Sequence, residues 1–213
     1  MADVSFEVLD ILPERFSTVP QLVARLRITE STGTPIHAMA LRCQVRIEAQ
    51  RRKYDDDEVP GLLDLFGSRM RWSSTLKPFL WLNASTMVQG FSESTETDLV
   101  IPCTYDFDVT ASKYLHALRE GAVPLALLFS GTIFEAGGTG FRVQQIPWDR
   151  EAAYQMPVAV WRELMETHYP NAGWLRLDHE TLRALAHYKA AKALPTWEAA
   201  IEALLARAEE EVR

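Results

Sequence analysis

The sequence predicts an α+β fold: a mainly antiparallel, sandwich-like β part over residues 1–148, with a helical segment over 149–213 packed on it in a single domain. Three observations carry this. Apolar residues alternate with polar ones in several early segments, the period of two of a half-buried strand. A glycine-rich break at Gly137, Gly138 and Gly140 separates two apolar runs inside Val123–Trp148, as a hairpin requires. After Pro147 the apolar period changes to that of helices.

Phe6–Leu12 reads as a first strand ended by Pro13, and Gln21–Thr29 as a second with Leu22, Ala24, Leu26 and Ile28 on one face. The clearest strand is Ala40–Gln50. Leu41, Cys43, Val45, Ile47 and Ala49 point one way while Arg42, Gln44, Arg46, Glu48 and Gln50 point the other. RRKYDDDEVP then interrupts the β pattern, and Pro60 opens a short helical turn over Gly61–Phe66. Phe79–Val88 resumes as a strand. Leu99–Val109 alternates over six positions (Leu99, Ile101, Cys103, Tyr105, Phe107, Val109), which predicts a central strand, since each such side chain contributes roughly 1.5–3 kcal/mol when buried.

Ala111–Glu120 reads as a short helix with Tyr114, Leu115 and Leu118 on one face and Gly121 as its C-terminal stop. With the hairpin, about seven short strands precede the helices, the spacing of a two-layer sandwich. Pro157 starts a helix that places Val158, Trp161, Leu164, Met165 and His168 on one side, and Pro170 stops it. Asp178 and Thr196 are the predicted caps of two further helices, the first with Leu182, Leu185 and Ala186, the second with Trp197, Ile201, Leu204 and Leu205.

Composition narrows the partners. A formal net charge of -7 disfavours a nucleic-acid binder, because phosphate affinity rests on clustered Lys and Arg. The two cysteines, Cys43 and Cys103, stand inside apolar alternation and read as buried thiols rather than a disulfide. With no basic-then-apolar leader and no window near the roughly 18–20 apolar residues of a span, a cytoplasmic protein without a membrane segment is expected.

No residue pattern names a reaction. The GGTG glycines precede Phe141, Val143 and Gln145, which alternate as a strand, so no helix N-terminus follows to cradle a phosphate. Asp55, Asp56, Asp57 and Glu58 are adjacent, unlike the spaced oxygens of a calcium loop, and following RRK they read as a solvated loop whose charges screen one another. The histidines His37, His116, His168, His179 and His187 lack the spacing of a zinc site. We therefore expect no catalytic residues, no metal, no cofactor and no enzyme activity, while a site scattered over the fold, in an enzyme or a small-ligand protein, would escape motif reading.

The unusual feature is the aromatic and proline supply between Pro147 and Trp174, interleaved with Arg150, Arg162 and Arg176. Such residues seal helices to a sheet, and they also dominate binding hot spots. Trp148, Arg150, Tyr154, Trp161, Arg162 and Trp174 are the expected partner-binding residues. A protein partner is expected, and a homo-oligomer remains open.

The strings CQVRIEAQRR, LKPFLW, IPCTYDFDV, KYLHAL, LLFSGTIF, VQQIPWDREAAY, MPVAVWRELM, YPNAGWLRL and LPTWEAA together resemble an uncharacterised actinobacterial family, a domain of unknown function. The resemblance covers nearly the whole chain. The family is associated with gene clusters of nickel–iron hydrogenases, so it implies an accessory or assembly role, with a hydrogenase subunit or its maturation machinery as the partner. It assigns no catalytic residues. A weaker similarity links the hairpin followed by MPVAVWRELMETHYPNAGWLRLDHETLRAL to the export chaperone SecB, which implies a holdase for unfolded clients as the alternative.

Overall fold

The computed structural model describes residues 1–103, 109–137, 140–171 and 177–212. Among these the elements run β1 (Val4–Pro13), β2 (Gln21–Glu30), β3 (Ile36–Ile47), α1 (Val59–Phe66), α2 (Trp72–Thr75), β4 (Phe79–Phe91) and β5 (Ser94–Pro102). They continue with α3 (Val109–Ala117), β6 (Ala122–Gly137), β7 (Gly140–Gln145), β8 (Glu151–Pro157), α4 (Val158–His168), α5 (His179–Ala191) and α6 (Trp197–Val212). The chain divides into two compact units, Met1–Ala172 and Gly173–Arg213.

The first unit holds two antiparallel sheets, one in the order β1-β2-β5 and one in the order β4-β3-β6-β7 with β8 also paired to β6. The alternation written in the sequence sets which faces meet. Leu22, Ala24, Leu26 and Ile28 of β2 are fully buried, as are Leu41, Cys43, Val45 and Ile47 of β3. Phe6 of β1 stacks on Phe129 of β6 with ring centroids 4.2 Å apart, bringing the sheets face to face over one hydrophobic cluster. The fold is α+β, as expected. Both cysteines are free and buried, and burial pushes each thiol up to about 12.

Two expectations need correction. The strand expected over Leu99–Val109 is β5, which ends at Pro102 and lies at the edge of its sheet, paired with β2. A one-sided apolar alternation shows that one face is buried and says nothing about neighbours on either flank. Tyr105 and Phe107, expected on the same face, lie outside the described residues. The acidic run is also not uniformly solvated: Glu58 is 1% exposed.

Glu58 is the hub of the excursion between β3 and β4. Arg52 donates to it twice, at 2.6 and 2.8 Å, and the backbone N–H groups of Arg119 and Asp55 donate at 2.8 and 3.2 Å. Burial opposes its charge, yet these hydrogen bonds outweigh it and hold the carboxyl below the usual range. Asp56 pairs with Arg69 and Asp57 with Arg119. Beside them, Tyr54 donates to the Ala49 carbonyl at 2.7 Å and shares a 2.8 Å hydrogen bond with the Tyr114 hydroxyl. The excursion is thus pinned to α3 by a satisfied polar network.

The glycine-rich hairpin expected within Val123–Trp148 is present: β6 pairs with β7 through Gly137 opposite Gly140, and Gly138 and Thr139 between them lie outside the described residues. Past the hairpin the chain does something the sequence does not announce. β7 pairs with Thr132–Gly137 and β8 pairs with Ala122–Leu128, so both occupy the same flank of β6. The intervening Ile146–Arg150 loops out opposite Phe129–Gly131. There Gly131 has φ +137°, and a Cβ on it would stand 2.0 Å from the Ala40 carbonyl oxygen, so only glycine fits.

α4 buries Val158, Val160, Trp161 and Leu164 and begins directly after Pro157, as the spacing predicts. In the second unit, Asp178 caps α5 by accepting from the Thr181 N–H, and the Thr196 hydroxyl accepts from the Ala199 N–H at the start of α6. Among the described residues no helix is long and apolar enough to cross a membrane.

Candidate functional site

The six residues expected to bind a partner fall in different places. Trp148 sits in the loop between β7 and β8 with 92% of its surface exposed. The loop is held from both ends: Ile146 donates its N–H to Gly131 O at 2.9 Å, and Phe129 donates its N–H to Arg150 O at 2.8 Å. Arg150 does not reach outward, because its guanidinium bonds Asp3 at 2.6 Å ahead of β1. Tyr154 likewise turns to β1, donating to Asp10 at 2.9 Å. These two residues fasten the β7–β8 edge to the first strand and leave Trp148 as the projecting side chain.

Trp161 is 2% exposed, on the buried side of α4. It meets Trp81 and His116 edge-on, at centroid distances of 6.3 and 5.6 Å. Its Nε1 is buried and has no hydrogen-bond partner among the described residues. Arg162 is exposed and donates to the Leu118 carbonyl at 3.2 Å. Trp174 lies outside the described residues.

Trp161 and Arg162 belong to a second feature, a cleft of about 720 Å³ between the end of α3, α4 and the start of α1. Leu115, Leu118, Met165 and Trp161 supply apolar walls, and Arg119, Glu163, Glu166 and Tyr169 supply polar ones. His116 also lines it, and burial lowers its pKa, which keeps the imidazole neutral at pH 7. The cleft therefore joins an aromatic wall, a neutral imidazole and both signs of charge in a volume suited to a small molecule. Among the described residues no cluster of three or more His, Cys, Asp or Glu could hold a metal ion.

Arg119, Glu163 and Glu166 do not stand out in the sequence, because nothing in their spacing differs from an ordinary solvated helix face. A weak signal existed in KYLHAL, where Tyr114, Leu115 and Leu118 define the inward face of α3 and set His116 beside it.

Comparison with solved structures returns partial likenesses of low degree. A β-glucosidase from Kluyveromyces marxianus matches with 8% identity and TM-score 0.28, covering 73% of this chain and 15% of that one. β-Glucosidase 3B from Thermotoga neapolitana, solved with α-D-glucose, matches with 16% identity and TM-score 0.26, covering 72% and 17%. The chain spans less than a fifth of either enzyme. No curated protein matches the sequence. A family model, described as a family of unknown function (DUF6084), matches residues 1–213 from end to end. The chain thus belongs to the DUF6084 family.

Proposed function

We propose that the protein is a non-enzymatic accessory or assembly protein that binds a protein partner through the loop carrying Trp148. The partner proposed, from the resemblance to a family linked with hydrogenase gene clusters, is a nickel–iron hydrogenase subunit or its maturation machinery. The observation that supports partner binding is the 92% exposure of Trp148 on a loop whose backbone is tied at both ends. An exposed tryptophan costs solvation in the free protein and gains most when a partner covers it, and a pre-held loop loses little entropy on docking.

The test is co-purification from cells that make the hydrogenase. A tagged wild-type chain should recover a hydrogenase component, and Trp148→Ala should lower recovery tenfold or more while leaving the fold intact. Absence of any hydrogenase component with wild type would overturn the partner assignment. Equal recovery with Trp148→Ala would overturn the loop.

The cleft at Trp161 supports a second reading, a small-ligand protein, because His116, whose pKa burial lowers, lines it beside the Trp161 ring. Here a ligand-induced rise in Tm that is lost in His116→Ala is the expected result. A ligand library without any such rise would count against it.

A further inference from the structure

The four flanks of the two sheets differ in how they discourage pairing. β1 carries Glu7, Asp10 and Pro13; β5 carries Glu96, Asp98 and Pro102; the β7–β8 flank carries Arg142, Glu151 and Pro157. Charges and prolines of this kind are how proteins keep exposed strand edges from recruiting other strands. β4 has neither. Its 13 residues, FLWLNASTMVQGF, include no Asp, Glu, Lys, Arg or Pro.

β4 pairs with β3 on one side. Among the described residues, no strand pairs with the other side of Phe79–Phe91. A register shift at Val45/Arg46 distorts the pairing near Trp81, and beyond it the register with β3 is unbroken from Leu82 to Gln89. Leu80 and Met87 are exposed at 46% and 63%. Phe79, Leu82, Ala84 and Phe91 pack on the core yet are only partly buried, and among the described residues no strand pairs with β4 on that side.

We infer that the free edge of β4 pairs antiparallel with β4 of a second copy, joining two five-stranded sheets into one. Self-pairing explains the neutrality better than a foreign strand does. About a two-fold axis, every charge near the axis meets its own like, whereas a foreign partner can be selected with opposite charges across the pair. An axis through Ser85 sets Leu82 against Val88 and Met87 against Asn83 of the other copy, with no charged pair anywhere. The nearest cation, Arg42, lies opposite Ser85 on β3. Its counterpart would be three strand spacings away, roughly 14 Å, beyond the screening length at physiological salt.

The test is sedimentation of the full chain between about 5 and 100 µM, which reaches the weak end of the affinities of ordinary-sized interfaces. Wild type should sediment as a dimer, and Ser85→Lys/Met87→Lys, which places lysines on the edge, as a monomer with unchanged circular dichroism. Ser85→Cys provides an independent reading: under oxidation it should cross-link two chains, since both native thiols are buried. A monomeric wild type over the whole range, which is also the outcome if β4 receives a strand from another protein, overturns the inference. So does a dimer that survives the double lysine variant, or one in which the Ser85→Cys chain does not cross-link.

Discussion

Arg52 and Glu58 meet through two hydrogen bonds of 2.6 and 2.8 Å, with side-chain exposures of 8% and 0%. Two charges removed from water together are tolerable, but one alone is not. Arg52→Ala should therefore cost about 3–5 kcal/mol in urea unfolding, and Glu58→Ala a similar amount. Replacing both by Met should cost less than the sum of the singles. A sum that is simply additive would show that the two side chains do not work as a pair.

Glu30 offers a pH test. Burial opposes its ionisation, but hydrogen bonds from the Thr32 hydroxyl and from the N–H groups of Asp3, Thr32 and Thr34 prevail and bring the carboxyl to about 2. A folded pKa below the unfolded one stabilises above the unfolded value, near 4.5, and that stabilisation fades as pH falls toward 2. Glu30→Gln should accordingly be less stable than wild type at pH 7, with the gap narrowing between pH 4.5 and 2. A gap that stays constant over that window would contradict the assignment.

Trp148 and Trp161 should separate by stability. Trp148→Ala removes a solvated side chain and should change unfolding free energy by no more than about 0.5 kcal/mol. Trp161→Ala empties a buried site and should cost about 3–5 kcal/mol. Acrylamide quenching should likewise lose an accessible component in Trp148→Ala and keep it in Trp161→Phe.

Gly131→Ala should be among the most damaging single-methyl additions in the chain. Its φ of +137° and the 2.0 Å approach of the Ala40 carbonyl combine backbone strain with a clash against backbone, about 3 kcal/mol or more. In a chain of this size that corresponds to a fall in Tm of roughly 6–12 °C in calorimetry.

What the sequence made legible follows from burial. β2 and β3 were readable because one face of each is dry and the other wet, and the Asp178 and Thr196 caps because capping is local chemistry. β8 is not legible, because its inward face, although it alternates in burial, has only Met156 fully buried, and Ala153 puts an apolar residue on the outward face of EAAYQMP. The edge position of β5 is illegible for the complementary reason, since its buried Leu99 and Ile101 would read the same in a central strand. Glu58 looks like its three acidic neighbours until Arg52, six residues before it, and the Arg119 amide, 61 residues after it, close on its carboxylate. The junction residues stand out as a group in the sequence, but which of them face inward depends on Asp3, just ahead of β1, and Asp10 within it, which take up Arg150 and Tyr154.

The anchoring of the first residues has a consequence in time. The Ala2 N–H is held by Glu135 at 2.6 Å, the Ala2 carbonyl by Gln144 at 2.8 Å and Asp3 by Arg150 at 2.6 Å, each across more than 130 residues. During synthesis these partners emerge long after β1 does, so this segment must wait without them until residues 135–150 have been made. A nascent chain arrested before residue 135 should be open to protease at its N-terminus, and one arrested once Arg150 has cleared the ribosome should be closed.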